Sequence, residues 1–290
     1  MIDIKVIREN PDAFKTACKT KNFEVNIDHL LDVDSQLRTV KNKLQEIATE
    51  KNRIGKSIPK LSGNDKETAL AKLAQIKENE GQLNERQKKL QPEFNELVLL
   101  VPQPAAAEVP VGKDDTENVE IKKWGEIPTF DFELKDHMEL GLSLGIIDVE
   151  RGVKLAGTRN YFLKGDGALL HWAILRYSLD MMISRGFVPL SVPLLMRNEA
   201  MRGTAYFPGG EDQTYRMEKD ELNLVGTAEV PLTAYHSGEI LKADQLPLKY
   251  VAQSSCFRRE AGAAGKDTYG LYRIHQFDKV EQVMIGENNE

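Results

Sequence analysis

The sequence predicts an α+β protein, in which an antiparallel two-helix coiled-coil arm precedes a domain of antiparallel β-sheet flanked by helices. Two observations support this fold class. An apolar repeat alternates steps of three and four residues within the first hundred positions, and short strand-like segments separated by glycine and proline turns follow it. We place the domains at residues 1–103 and 104–290.

The arm is predicted from two apolar repeats. The first begins at Leu30 and ends at Ile58, and the second runs from Leu73 to Val101, both at heptad spacing. Between them, the breaker and turn residues of 59–65 predict a turn, so the two helices must run antiparallel. At ~1.5 Å per residue, each helix of about 30 residues is roughly 45 Å long.

The turn end of the predicted arm is basic. Seven Lys and Arg residues stand against two acidic residues between Lys51 and Lys77, which gives the segment a net charge of +5 in a chain of −6. Such helices can form a dimerisation coiled coil or part of a bundle, and a charge run can be a solvated face. A basic tip is also suited to contact RNA phosphates. The candidate RNA-binding residues are Lys51, Arg53, Lys56 and Lys60.

The second domain is predicted from shorter elements. The proline-containing segment 101–110 suits an extended linker. No Gly-x-Gly-x-x-Gly motif and no recurring βαβ alternation are found, which argues against a Rossmann or P-loop nucleotide site. Helices are predicted at 137–144 and 167–185, and strands at 188–195, 222–225, 249–257 and 273–283.

Composition excludes several protein classes. With 41% hydrophobic and 29% charged residues, the 290-residue chain can form a core and is not of disordered type. Its two cysteines, Cys18 and Cys256, cannot build a four-cysteine zinc site or a disulfide framework, and they suit a reducing cytosol. The apolar stretch 97–101 is far shorter than the ~18–20 residues of a membrane span. We therefore expect a cytoplasmic protein with no membrane segment.

One short segment carries the strongest chemical signal. Arg258 and Glu260 are separated by one residue on strand-like sequence, which predicts that their side chains share a face. A guanidinium can bind a phosphate through two hydrogen bonds, and a carboxylate can orient an amine, a metal or water. Glycines in the loop 261–272 allow the backbone to approach a ligand, and Phe277 can stack on a flat base. By itself, an Arg-x-Glu pair is most often a structural salt bridge.

With its loop and the Arg-x-x-x-Phe pattern of 273–277, this segment resembles motif 2 of class II aminoacyl-tRNA synthetases. Residues 186–195 are similar to motif 1 of that superfamily, a dimerisation segment. Residues 225–232 resemble the Thr-Ala-Glu serine-binding segment of the seryl-tRNA synthetase family. The helical hairpin and the opening pattern of residues 7–11 also resemble that family in its bacterial type.

The resemblance implies an enzyme that activates L-serine with ATP, accompanied by Mg²⁺, to give seryl-adenylate. The seryl group then passes to tRNA(Ser), and tRNA(Sec) is a second acceptor. The enzyme is expected to be a homodimer joined through motif 1, with the helical hairpin reaching the long variable arm of the tRNA.

The resemblance also implies the site residues. Arg258 and Glu260 are the expected catalytic residues, and no metal ligand is assigned. The serine-binding residues are expected to be Thr227, Ala228, Glu229, Arg258 and Glu281. The ATP-binding residues are expected to be Arg258, Arg259, Glu260, Ile274 and Phe277. Because the serine carboxylate is already ionised at neutral pH, no general base is needed, and His236 and His275 are expected to be structural.

Two departures from the family pattern are visible. Family members continue into motif 3, whose arginine contacts the ATP γ-phosphate, whereas this sequence ends at Glu290. The alternative to the enzyme is therefore a truncated or inactive synthetase-like RNA-binding protein. The segment 205–212 also differs from the Gly-Thr-Gly-Gln pattern frequent at this place, so no ligand contact is expected from it.

Overall fold

The structure is a computed structural model that describes residues 2–262 and 269–287. The chain forms two compact units, Met1–Trp124 and Gly125–Glu290. The sequence-based domain boundary after residue 103 stays a prediction.

The first unit is helical. Its helices are α1 (Ile4–Glu9), α2 (Pro11–Thr20), α3 (Ile27–Ser57) and α4 (Gly63–Leu100), with a 3₁₀ turn at Ile58–Lys60. Helix α3 begins where the Asn26 side chain accepts a hydrogen bond from the His29 amide, 3.0 Å away. The predicted pair of long helices is confirmed, with 31 residues in α3 and 38 in α4.

The heptad positions form the contact between α3 and α4. Leu30, Val33, Leu37 and Val40 are all at most 3% exposed. A core at one end of the hairpin joins the short helices to the long ones; its buried members are Ile7, Phe14, Cys18, Ile27, Leu30, Val98 and Val101.

Polar side chains also link the two long helices. His29 on α3 contacts Glu93 on α4 at 2.9 Å, and Lys51 contacts Glu80 at 2.6 Å. The apolar repeat and these polar links therefore act together along the hairpin.

The second unit combines small sheets with helices. Its strands are β1 (Ile147–Asp148), β2 (Phe162–Leu163), β3 (Val188–Pro189), β4 (Leu195–Arg197), β5 (Arg216–Met217), β6 (Leu222–Leu224), β7 (Leu248–Phe257) and β8 (Gln276–Ile285). Its helices are α5 (His137–Ser143), α6 (Val149–Ala156), α7 (Asp166–Ser184), α8 (Asn198–Gly203) and α9 (Glu229–Ala234). The strand orders within the described residues are β1-β2, β3-β7-β8 and β4-β6-β5.

Strands β7 and β8 form the longest antiparallel pair among the described strands, and β3 joins β7 in the parallel direction. The α+β class is thus confirmed, with a mixed rather than purely antiparallel central sheet. The predicted strand 188–195 is wrong in extent, because ladder pairing covers only β3, and Leu195 already belongs to β4. Pro193 between them has no N–H to donate to a ladder.

Two buried clusters support the sheets. Ala228, Leu232, Tyr250 and Ala252 form one beneath β7, and Met201, Phe207, Val225 and Val230 form the other beside α8. Both cysteines are buried and free, Cys18 in the first unit and Cys256 in the second. None of the helices in the described part of the chain is long and apolar enough to cross a membrane.

Candidate active site

The site is built on one face of β8. Phe277 and Glu281 are four residues apart on this strand, opposite Cys256 and Ala252 of β7, so their side chains share a face. The segment that follows β6 brings Thr227 to the same face. Its hydroxyl donates a hydrogen bond to Glu281 Oε2 at 2.7 Å, across 54 residues of sequence. Thr227 is 3% exposed and the Glu281 side chain 20%, so this contact is partly screened from bulk water.

Glu281 is held as a carboxylate. Burial raises its pKa, but hydrogen bonds from Lys279 and Thr227, together with the positive charge of Lys279, lower it further than burial raises it. The pKa of Glu281 therefore lies below its ordinary value. At neutral pH the group is an ionised acceptor next to a buried hydroxyl, a pairing suited to bind an alcohol or an ammonium group.

Arg258 lies beside this pair. The backbone of β7 places it there, because the Phe257 amide donates to Val225 O at 2.9 Å. The Arg258 guanidinium carbon lies 5.1 Å from the centroid of the Phe277 ring. Its Nε is buried and has no hydrogen-bond partner among the described residues. The arrangement thus presents a partly buried cation and an aromatic ring together, a combination suited to a phosphate attached to a flat base.

The expected strand geometry of Arg258 and Glu260 is wrong. Strand β7 ends at Phe257, and Glu260 has a φ of 51°, in the left-handed region. The Glu260 carboxylate instead accepts a hydrogen bond from Arg273 Nη1 at 2.9 Å, and its backbone oxygen accepts one from Arg159 Nη1 at 3.0 Å. Glu260 therefore closes the base of the loop that follows Arg258.

The remaining predicted nucleotide residues, Arg259 and Ile274, lie on either side of that loop in the sequence. Ile274 lines a cavity of about 440 Å³ together with Arg159 and Tyr269. The Arg259 amide donates to Gln213 O at 2.8 Å, while the Arg259 side chain is exposed. Six residues of this loop, 263–268, lie outside the described residues.

The other predicted serine residues flank Thr227. Ala228 is fully buried, and Glu229 is exposed at the start of α9, where its amide donates to Thr227 Oγ1 at 3.1 Å. Within residues 2–262 and 269–287, no group of three or more His, Cys, Asp or Glu side chains could hold a metal ion.

The two expected structural histidines have polar partners. His236 contacts Glu239 and the Tyr250 hydroxyl, each at 2.8 Å. His275 Nδ1 contacts the Arg258 backbone oxygen at 3.1 Å, so it supports the segment that carries the guanidinium.

The predicted RNA-binding residues lie on α3 and at its end. Lys51 contacts Glu80 of α4, and Arg53 contacts Glu50 through two hydrogen bonds of 2.8 Å. Lys56 is exposed. The side chain of Lys60 lies outside the described residues. Two of the four candidates are thus partly neutralised within the arm.

The sequence did not predict three residues that contact the candidate site. Lys279 binds Glu281, Gln213 joins the Arg259 segment, and Tyr206 packs beside Arg258. Lys279 could have been found from its alternation with Phe277 and Glu281 on one strand. For Tyr206 the only signal was the departure of its segment from the family pattern.

Family comparisons match both parts of the chain. Residues 1–104 match the family described as "Seryl-tRNA synthetase N-terminal domain", and residues 213–290 match "tRNA synthetase class II core domain (G, H, P, S and T)".

Relatives of known name match nearly the whole chain. A serine–tRNA ligase from Deinococcus radiodurans is 42% identical over 285 residues, covering 98% of this chain and 67% of that protein. One from Fervidobacterium nodosum is 40% identical over 288 residues, covering 98% and 68%. The crystal structure of seryl-tRNA synthetase from Pyrococcus horikoshii complexed with ATP has a TM-score of 0.82 at 35% identity, covering 97% of this chain and 69% of that one. The chain thus spans about two thirds of the length of these relatives.

Proposed function

Because the chain belongs to the seryl-tRNA synthetase family, we propose that it is a serine–tRNA ligase. In this reaction L-serine and ATP form seryl-adenylate and pyrophosphate, and the seryl group passes to tRNA(Ser), with tRNA(Sec) as a second acceptor. One observation carries the proposal for the site. Residues distant in sequence meet on one face of β8, with the Thr227–Glu281 hydrogen bond next to Arg258 and Phe277.

ATP is assigned to Arg258 and Phe277. The serine carboxylate must attack the α-phosphorus, and both groups are anionic, so a fixed cation lowers their repulsion and stabilises the charge of the transition state. Among the described residues the Nε of Arg258 has no hydrogen-bond partner, so it offers a donor for such an anion. The Phe277 ring offers a stacking surface for adenine, with Ile274 beside the nucleotide, while Arg259 and Glu260 complete the binding segment. Mg²⁺ enters the proposal only as the ion carried by the ATP phosphates.

Serine is assigned to Thr227 and Glu281. A site that hydrogen-bonds a substrate hydroxyl rejects the analogue that lacks it, because the polar groups of the site would stay buried and unpaired. The buried Thr227 hydroxyl and the ionised Glu281 meet this requirement against alanine and glycine. Ala228 and Glu229 form the adjoining wall, and Arg258 meets the serine carboxylate.

The first unit is assigned to tRNA. Its long hairpin carries the basic segment that begins at Lys51, and an exposed cation such as Lys56 can bind a phosphate and release counterions. Arg53 and Lys60 complete the proposed tRNA-binding group.

A homodimer joined through motif 1 is also part of the proposal. Helix α7, which precedes the motif 1 strand β3, exposes large apolar side chains that a single copy leaves in water. These are Leu169, Leu170, Trp172, Ile174 and Tyr177, each between 57% and 69% exposed. The proposed location is the cytoplasm, which supplies ATP and tRNA and keeps cysteines reduced.

The decisive experiment is serine-dependent exchange of labelled pyrophosphate into ATP by this chain. Exchange by the wild type and a roughly 10²–10³-fold loss in Arg258→Ala are expected, because the variant lacks the cation that stabilises the transition state. Arg216→Ala is the matched control, since Arg216 also lies 5.1 Å from an aromatic ring, that of Phe207. It is expected to exchange normally.

Two results would count against the enzyme. Equal loss in both arginine variants would show that Arg258 acts through packing alone. A wild type that binds tRNA but performs no exchange would favour the alternative, a synthetase-like RNA-binding protein.

A further inference from the structure

The segment after α8 directs an aromatic side chain toward the proposed site. Ala205 has a φ of 58°, and the amides of Tyr206 and Phe207 both return to Met201 O, at 2.9 and 3.1 Å. Phe207, 3% exposed, anchors the segment in the cluster beside α8. Tyr206 is only partly buried and packs against that cluster. The Tyr206 backbone is therefore held at the edge of this cluster.

Two glycines make room for Tyr206. A Cβ on Gly226 would lie 1.9 Å from the Tyr206 hydroxyl oxygen and 2.9 Å from Cζ. A Cβ on Gly210 would lie 3.1 Å from Cδ1 and 3.3 Å from Cε1 of the same ring. Any side chain at Gly226 would push the hydroxyl out of its place, so this glycine is needed for the observed contact.

The Tyr206 hydroxyl and the Arg258 side chain both lie close to Gly226. The same Cβ on Gly226 would lie 3.5 Å from Arg258 Cγ, so the two side chains approach this glycine together. Burial raises the pKa of Tyr206, while Arg258 opposes the increase through its charge and a side-chain hydrogen bond. The phenol is therefore neutral at physiological pH and acts as a dipole beside a cation.

We propose that Tyr206 is a positioning residue, whose hydroxyl holds the Arg258 guanidinium where it meets the anionic groups of ATP and serine. This inference rests on the proposed function. It assigns a role to a segment that carried no expected ligand contact. It also explains how the Arg258 guanidinium, whose buried Nε has no partner within residues 2–262 and 269–287, keeps one orientation before substrate arrives. The role requires the hydroxyl and not merely the ring.

The test compares ATP affinity by calorimetry in the wild type and in Tyr206→Phe, which keeps the ring and removes the hydroxyl. We expect about 10- to 100-fold weaker ATP binding, the effect of losing a hydrogen bond to a charged group. Tyr235→Phe removes a hydroxyl from a side chain that is 55% exposed and serves as the matched control. Its ATP affinity should equal that of the wild type.

A second pair of variants separates positioning from structure. If Tyr206 acts through Arg258, Tyr206→Phe should have little further effect in an Arg258→Lys background, because the orientated guanidinium is already gone. The same fold loss in both backgrounds would overturn the inference, since the hydroxyl would then act elsewhere. Where exchange is measured, Tyr206→Phe should raise KM for ATP and lower kcat, with an unchanged unfolding midpoint.

The outcomes distinguish the two proposals. Wild-type ATP affinity in Tyr206→Phe would overturn the role of Tyr206 and leave the proposed function intact. A wild type that does not bind ATP would overturn the ATP site itself, and the role of Tyr206 with it.

Discussion

The two units of this chain obtain their structures from contacts of different kinds. In unit Met1–Trp124, two helices repeat the same apolar contact every three or four residues, so each layer resembles the next. In unit Gly125–Glu290, the site depends on single contacts between distant segments, such as that between Thr227 and Glu281. Stability is therefore shared among many similar positions in the arm, whereas the proposed function depends on a few irreplaceable ones in the sheet unit.

The largest expected effect comes from removing one arm layer. Leu30 is fully buried, and Leu30→Ala should lower the free energy of unfolding of the first unit by about 2–5 kcal/mol through lost burial and a cavity. Urea unfolding followed by circular dichroism measures this change. Leu70→Ala, at a residue that is 48% exposed, should change it by no more than about 0.5 kcal/mol. If Leu30→Ala also abolished ATP binding, the contrast between the units would be wrong.

A smaller effect is expected when one contact in the sheet unit is removed. Thr227→Val removes the buried hydroxyl that pairs with Glu281 and leaves only Lys279 as its partner, and serine affinity should fall by about 1–3 kcal/mol. Thr214→Val is the matched control, because Thr214 is also buried and donates to Gly210 O at 2.7 Å. Calorimetric titration with serine should show a loss only in the first variant. Equal losses of serine affinity in the two variants would mean that removing any buried threonine hydroxyl disturbs the site, and that Thr227 has no specific role.

Basic residues of the arm should contribute differently to tRNA binding, according to whether they already contact an acidic residue. Lys56→Ala should reduce the slope of log K against log salt for tRNA binding by about 1, the effect expected when one phosphate contact is lost. Lys51→Ala should change the slope less, because Lys51 already contacts Glu80 at 2.6 Å. Filter binding at several salt concentrations measures both slopes. Identical slopes for both variants and the wild type would show that this part of the arm is a solvated face.

The smallest expected effect is on the stability of the arm at acidic pH. Hydrogen bonds from Arg53 and Lys72 lower the pKa of Glu50 to about 2. Because the folded-state pKa lies below the unfolded value, the carboxylate stabilises the arm above pH ~4.5, and this contribution is lost as the pH falls toward 2. Glu50→Gln should therefore be slightly less stable than the wild type at neutral pH and equal to it near pH 2. Thermal unfolding at both pH values checks this, and a difference that persists at pH 2 would contradict it.

The sequence predicted the arm better than the site because heptad spacing is a local property. Even there, α4 begins at Gly63, ten residues before the first apolar position of its repeat, because the mostly exposed residues that open this helix leave no periodic apolar signal. In the sheet unit, the pairing of Glu260 with Arg273 depended on a left-handed residue that alternation does not reveal. The contact of Tyr206 with Gly226 joins separate segments, and no spacing rule could have located it.

The burial of one cysteine in each unit makes it possible to measure how often each unit opens. Cys18 is 5% exposed in the first unit and Cys256 is fully buried in the second, and burial raises the pKa of both thiols. Since alkylation requires an accessible thiolate, neither should react until its surroundings open. Peptide mapping after brief exposure to an alkylating reagent would therefore report, in a single unmodified sample, how often each unit opens.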